Sequence, residues 1–500
     1  MHAAAPHAVA VVAALGTYDS DGADDVTGGT AATAGRVRGR VRRRQIRLTL
    51  GQRWCLGVMY SSLVLVAGGM LSVTVETSRF VDKYYDLARG SLRSNLTIAV
   101  YYITSVLFSI VAYCVNAWNA LALSTVLMFL GIVMHLACVP DGRVLEYESL
   151  TVRSLFSGSN SLLLANFLVA GGSSLMSVFS ATVVAHALPA RFARSGITTG
   201  VSILAVVGAL GSACFYVWAE LTVDSLESFT ANYPSMNIVC LLCFLPAVAA
   251  GAYLHCVGRT FCCCRTTHSC RPNPEHATMH YLFSPLAALR AEEALDEIEG
   301  WAPDSPREKA RVRRNRGVML AYVVLHTVGN TVSTLWVNNF PAFCASMSAA
   351  EYDASSAVFY VVGIPFLGVI GLLTDRLERW RSIFFSMLVQ QTLSQLLFYY
   401  APWPSVQILA LAWNTCATCY SPVLISYLSA ICFPAKSDNW TNLLLTCNAL
   451  GSLWSLSVTV TADNLQEVKL VSSLVMLASC LLLFCALRLR CCGARLVRHN

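Results

Sequence analysis

Twelve apolar runs of 17 to 27 residues, each bounded by polar or charged residues, constrain this chain more than any other feature. About 20 apolar residues in a helix, rising 1.5 Å each, cross the hydrocarbon core of a bilayer. Six runs precede a long central loop: Trp54–Val75, Leu96–Val115, Ala120–Val139, Leu162–Leu188, Gly196–Trp218 and Ile238–Val257. Six follow it: Val318–Phe340, Ala357–Leu373, Ile383–Tyr400, Val406–Cys432, Leu443–Thr461 and Leu470–Leu487. With 56% of its 500 residues hydrophobic and 13% charged, the chain cannot be a string of soluble domains. The same composition excludes bulk disorder, nucleic-acid binding and a secreted disulfide scaffold. The 20 cysteines fall mostly in or beside apolar runs, where a thiol acts as a small hydrophobe. The expected fold class is an all-α polytopic membrane protein with twelve transmembrane helices.

This map strands no Lys, Arg, Asp or Glu inside a span, where each would cost a few kcal/mol, on the order of 3. It also sorts the basic residues: 28 of the 35 Lys and Arg lie on the side that holds both termini and the central loop, against 7 on the other. By the positive-inside rule both termini are cytoplasmic, in a plasma or organelle membrane. The seven arginines of Arg36–Arg47 stand just before the first span and are read as a topology anchor that touches anionic lipid. Residues 1–35 are rich in Ala, Gly and Thr and read as part of a disordered basic cytoplasmic tail, 1–53, without a signal peptide.

The two halves repeat. Gly57-Val58-Met59 with Gly69 opens the first span, and Gly317-Val318-Met319 with Gly329 opens the seventh, at an offset of 260. Leu188-Pro189-Ala190-Arg191 ends the fourth, and Phe433-Pro434-Ala435-Lys436 ends the tenth, at an offset of 245. The matches run in the same direction, as in a parallel repeat. Two six-helix bundles are therefore expected, 54–257 and 317–488, joined by a cytoplasmic loop at 258–316 and followed by a cytoplasmic tail at 489–500.

On these residues the chain resembles the major facilitator superfamily, over roughly 54–488. Gly371-Leu-Leu-Thr-Asp375-Arg376-Leu-Glu378-Arg379 looks like the second copy of the family's loop motif. The first-copy position, Asn116-Ala-Trp-Asn119, carries no charge. The turn after the fourth span also resembles the nodulin-like and monocarboxylate-transporter-like branches. The resemblance implies two bundles around a central cavity, alternating access, and a gating role for Gly371, Asp375 and Arg376, whose ion pairs would hold the inner mouth shut.

Polar groups inside spans are costly and mark candidate solute contacts. His326 and Asn330 lie four apart on one helical face, and Asn166, Asn414 and Asn448 are the further substrate-binding candidates. Each either faces a cavity or ties helices together by hydrogen bonds; for His135 and Gln390, Gln391 and Gln395 the second reading is preferred. No Asp or Glu lies mid-membrane, so proton coupling would need a histidine, and a neutral or zwitterionic solute fits a cavity without Lys or Arg. The glycines at 171, 172, 196, 200, 208 and 211 read as close helix packing or as hinges. Cys262, Cys263, Cys264, Cys491 and Cys492 stand beside the inner membrane face as lipidation candidates. No cofactor or metal is expected, since adjacent cysteines do not converge on one tetrahedral ion.

The leading expectation is a secondary transporter or facilitator for a small organic solute, with the bilayer and a proton as its other partners. A non-transporting receptor or scaffold on the same fold is the alternative. An intramembrane protease built from Ser173, Ser174 and His255 is disfavoured, because the histidine lies at a different depth.

Overall fold

The computed structural model describes residues 50–84, 92–112, 115, 117–137, 159–188, 197–223, 225–263, 306–345, 347–377, 380–424 and 437–491. Among them there are helices and no strands. The N-terminal half comprises α1 (Leu50–Tyr84), α2 (Leu92–Ala112), α3 (Ala117–Ala137), α4 (Ser159–Ala187), α5 (Ile197–Thr222) and α6 (Leu226–Cys263). The C-terminal half comprises α7 (Pro306–Asn338), the single turn α8 (Phe340–Phe343), α9 (Ala349–Val361), α10 (Gly363–Leu377), α11 (Trp380–Tyr400), α12 (Pro404–Ala417), α13 (Ser437–Ser457) and α14 (Leu465–Cys491). Stretches of α1, α3, α4, α5, α6 and α14 are long and apolar enough to cross a membrane.

The polarity is that of a protein dissolved in lipid. Leu409, Trp454 and Leu481 are exposed on the outside, whereas His135, Asn166 and Gln391 are fully buried. Lipid offers no partners for polar groups, and each of these makes a hydrogen bond within the bundle, to Tyr233, Thr74 and Ser333 respectively.

Glycines set the closest contacts of the N-terminal half. A side chain at Gly68 would collide with the Gly208 carbonyl, and one at Gly211 with the Leu65 carbonyl. α1 and α5 therefore approach backbone to backbone, and Ser212 Oγ donates to the Gly68 carbonyl at 3.0 Å. Gly171 and Gly172 likewise seat α4 against Phe108 and against Met128 of α3. The glycines of α4 and α5 thus serve close packing.

Two expected single spans are broken. The eighth is α9 and α10, interrupted at Val362. Pro365 cannot donate to the Val361 carbonyl, and its ring crowds the preceding turn. The tenth ends as α12 at Ala417, passes through a turn at 418–420 and resumes at 421–424, with Pro422 just beyond the turn. The two breaks face each other: Cys416 Sγ lies 4.0 Å from the Val362 carbonyl and Cys419 Sγ 3.7 Å from that of Gly363, while the Cys419 thiol is nearer the Thr415 carbonyl of its own helix, at 3.3 Å. The last span also differs. α14 begins at Leu465, so Lys469 lies one turn inside it, and its ammonium donates to the Tyr399 carbonyl at the end of α11 at 3.1 Å. A cation at a helix C-terminus is favourably placed.

The halves meet chiefly where α2 packs on α13 and α5 packs on α10, with α4 also touching α13 and α9 touching α5. Val201 and Ala205 of α5 share one apolar cluster with Leu367 and Ile370 of α10.

Candidate functional site

α7 and α13 run side by side in a constant register. His326 meets Asn448, and Asn330 meets Ser452, each pair separated by 122 residues in sequence. A constant separation means parallel helices with matching faces.

His326 is held on both ring nitrogens, Nδ1 to Asn448 Oδ1 at 3.2 Å and Nε2 to Ser421 Oγ at 2.9 Å. An amide oxygen can only accept, so Nδ1 carries the proton, and in the neutral ring Nε2 accepts from the serine hydroxyl. The Tyr420 ring stands edge-on to the imidazole, with centroids 5.1 Å apart. Tyr420 and Ser421 end the break in the tenth span, so the histidine reads the local conformation of that break.

One turn on, Asn330 Nδ2 donates to Ser452 Oγ at 3.4 Å, and Thr334 Oγ1 lies 3.3 Å from the same oxygen. Tyr102, from α2 of the other half, is hydrogen-bonded to Ser452 as well. Gln391 Nε2 donates to Ser333 Oγ at 2.6 Å and to the Gly329 carbonyl at 3.2 Å, which adds α11 to the cluster. A side chain at Gly329 would meet the Tyr420 hydroxyl at 2.7 Å, so glycine is what admits the tyrosine here.

The remaining candidates lie elsewhere. Asn414 accepts from Ser394 Oγ at 3.1 Å, between α11 and α12. Asn166 is in the N-terminal half, with its side-chain amide 2.8 Å from Thr74 Oγ1, and His135 Nδ1 lies 2.6 Å from the Tyr233 hydroxyl. His326, Asn330 and Asn448 thus come together, while Asn166 and Asn414 stand apart from them. Ser173 and Ser174 bond Tyr101 and Ser105 of α2 at 3.2 and 2.8 Å.

The gating residues meet the other half. Asp375 accepts from the backbone N–H groups of Thr198 at 3.3 Å and Thr199 at 2.6 Å, and from Thr199 Oγ1 at 2.7 Å. Its carboxylate therefore sits on the N-terminus of α5, where free N–H groups and the helix dipole favour an anion. One turn earlier, a side chain at Gly371 would collide with Ser202, so glycine lets α10 lie against α5. Arg376 is exposed. Among the described residues, the partners of this carboxylate are the N–H groups and hydroxyl at the start of α5. Cys264 and Cys492 and the side chains of Cys262, Cys263 and Cys491 fall outside the described residues.

Ser452, Thr334, Tyr102, Tyr420 and Ser421 are cluster members that sequence reasoning missed. A signal existed for Ser452: Ala209-Leu210-Gly211-Ser212 of α5 recurs as Ala449-Leu450-Gly451-Ser452 of α13, at an offset of 240. With the offset of 260 between α1 and α7, the α1–α5 contact is the counterpart of the α7–α13 contact. Thr74 and Thr334 even make the same bond, each to the carbonyl four residues back, at 3.0 and 2.9 Å. Where the C-terminal contact carries His326, Asn330 and Asn448, the N-terminal one carries Val66, Met70 and Gly208. The duplicated contact is polar in one half and sealed by glycine in the other.

No protein family and no curated protein matches the chain in sequence. Solved structures do match in fold. The proton:xylose symporter XylE, bound to 6-bromo-6-deoxy-D-glucose, superposes with a TM-score of 0.59 at 14% identity, over 87% of this chain and 95% of that one. The E. coli fucose:proton symporter FucP gives 0.51 at 12% identity, over 87% and 97%. The peptide transporter POT in complex with alafosfalin gives 0.57 at 13% identity, over 87% and 94%. These likenesses carry no argument for the nodulin-like or monocarboxylate-transporter-like branches. At such identities they bear on architecture: the chain has the twelve-helix fold of the major facilitator superfamily.

Proposed function

We propose that the protein is a secondary transporter or facilitator that moves a small neutral or zwitterionic organic solute by alternating access. The observation that carries this reading is the asymmetry of the duplicated contact. The α1–α5 contact is closed by Gly68, Gly208 and Gly211, with the hydroxyls of Ser72 and Ser212 each turned to a backbone carbonyl across it. Its counterpart holds an imidazole, two carboxamides and two hydroxyls, groups that are costly in a membrane protein and that mark substrate pathways. They donate and accept without bearing fixed charge, which suits a neutral or internally balanced solute. The solved structures of like fold are described as symporters of sugars and a transporter of peptides, which supports transport as the class of activity.

The basic residues support cytoplasmic termini, and Asp375 then caps α5 at the cytoplasmic mouth. His326 supplies the titratable imidazole for proton coupling; the groups packed on it are Tyr420, Asn448 and Ser421.

The test is uptake by the purified protein in liposomes, from a panel of pentoses, hexoses, neutral amino acids and dipeptides. Saturable flux above protein-free liposomes, lost in Asn330→Ala at equal incorporation, is the expected result. Absence of flux for every class, with the protein folded, would sink the reading in favour of a receptor or scaffold.

A further inference from the structure

Ser452 offers one O–H proton and two acceptor sites. The bonds around it decide how these are used. Thr334 gives its proton to the Asn330 carbonyl at 2.9 Å, so its oxygen accepts from Ser452 at 3.3 Å. Asn330 Nδ2 donates to Ser452 at 3.4 Å. One acceptor site is left for the Tyr102 hydroxyl, the partner of Ser452 from the other half.

The three partners of Ser452 differ in origin. Asn330 and Thr334 lie on α7, which is locked to α13 where Gly451 admits Thr331. Tyr102 lies on α2, in the other half, and is buried in an apolar cluster with Tyr101 against Leu453 and Leu456 of α13. Of the three bonds to Ser452, the one from Tyr102 crosses from α2 to α13, as does the bond from Asn442 Nδ2 to the Ser109 carbonyl at 2.7 Å further along the same helix pair.

We propose that Tyr102 is a positioning residue that couples occupancy of the α7–α13 site to contact between the two halves, by donating to Ser452 the hydrogen bond that a solute donor takes over when the halves part. This rests on the transport reading for the identity of the competitor, but the coupling itself does not need it. The class of solute narrows: the replacement for Tyr102 must bear an O–H or N–H donor, which a fully O-alkylated analogue lacks. Linkage makes the effect reciprocal. A donor bound at Ser452 favours separation of α2 from α13, and separation raises the affinity of the site for a donor.

The experiment is hydrogen–deuterium exchange of the full-length protein in lipid nanodiscs, read on peptides from 92–112 and 437–457. Tyr102→Phe keeps the ring and removes the donor, and Ser452→Ala removes the acceptor. In 92–112 each should raise exchange by about five-fold, the shift that one net hydrogen bond supports, and the double variant should do no more than either single one, as for two partners in one bond. In 437–457 Ser452→Ala also releases Asn330 and Thr334 and should exceed Tyr102→Phe. Tyr101→Phe, which loses only the bond to Ser173 of α4, should leave 437–457 unchanged. Additive effects, or an equal effect of Tyr101→Phe, would overturn the coupling. If the liposome screen finds no solute while this cycle holds, the transport reading fails and the coupling stands. If a sugar is carried, Tyr102→Phe should lower its KM and slow its maximal rate, and the permethylated sugar should not compete. Unchanged kinetics in Tyr102→Phe, or competition by the permethylated sugar, would overturn the proposal.

Discussion

Asp375 and Thr199 join the two halves of the molecule by a carboxylate that accepts both the backbone N–H, at 2.6 Å, and the hydroxyl, at 2.7 Å, of one threonine at the start of α5. Gly371, one turn back on α10, presses the same face against Ser202. A charge-assisted cap and a glycine contact thus act on one helix end, and both must be released for the halves to separate there.

Asp375→Ala should therefore loosen this contact by about 1.5–3 kcal/mol, the range for hydrogen bonds to a charged group. Arg376→Ala, at an exposed site, should cost at most about 0.5 kcal/mol. Thermal unfolding midpoints of the two variants in detergent, at equal concentration, check the difference. A shift from Arg376→Ala as large as that from Asp375→Ala would mean that a basic partner, rather than the helix end, matters at this mouth.

The glycines of α1 give a second contrast. Gly68→Ala places a methyl group against the Gly208 backbone, which cannot swing away as a side chain could, whereas Gly57→Ala meets nothing within 4 Å. Overpacking at Gly68 should cost about 1–3 kcal/mol. Gly57→Ala should be neutral or stabilise by up to about 1 kcal/mol through helix propensity. The fraction of monodisperse protein that survives a heating series reads both; equal behaviour would contradict the close approach of α1 and α5.

Much of the fold was legible because lipid imposes one rule: apolar runs of the right length must become helices. The offset of 260 between Gly57 and Gly317 likewise announced the repeat. What stayed hidden was local. Pro365 and Pro422 were visible, yet a proline inside an apolar run bends, breaks or leaves a span according to what packs on it, here the thiols of Cys416 and Cys419 against the start of α10. His326 and Asn330 could be placed on one face, but not assigned partners, because any of several helices could have supplied them. Ser452 was overlooked because serine is common in transmembrane helices. Only the pairing of α5 with α13 gives its four-residue repeat a meaning.

For His326, bonded through both nitrogens, substitution separates hydrogen bonding from titration. His326→Gln keeps a donor and an acceptor but cannot gain a proton. Should flux by the parent protein vary between about pH 5.5 and 7.5, where an imidazole of ordinary pKa titrates, that variation should flatten in His326→Gln. Retention of the parent's profile, at equal incorporation, would place the coupling group elsewhere.

Ser212 and Ser452 occupy equivalent places in the repeat and test the asymmetry directly. Ser212 Oγ donates to the Gly68 carbonyl, a backbone group, whereas Ser452 Oγ joins the side chains of Asn330, Thr334 and Tyr102. Removing the Ser212 hydroxyl should cost about 1 kcal/mol, one buried bond, and removing that of Ser452 more, because Asn330, Thr334 and Tyr102 each lose a partner. Their effects on flux should differ. Ser212→Ala leaves the α7–α13 cluster intact and should transport at close to the parental rate, whereas Ser452→Ala takes away a group placed to contact the solute and should lower kcat/KM by about ten-fold or more, the loss that 1.4 kcal/mol of binding corresponds to. Equal losses in the two variants, after correction for folded protein, would mean that the solute is handled by both halves and that the sealed α1–α5 contact opens during transport.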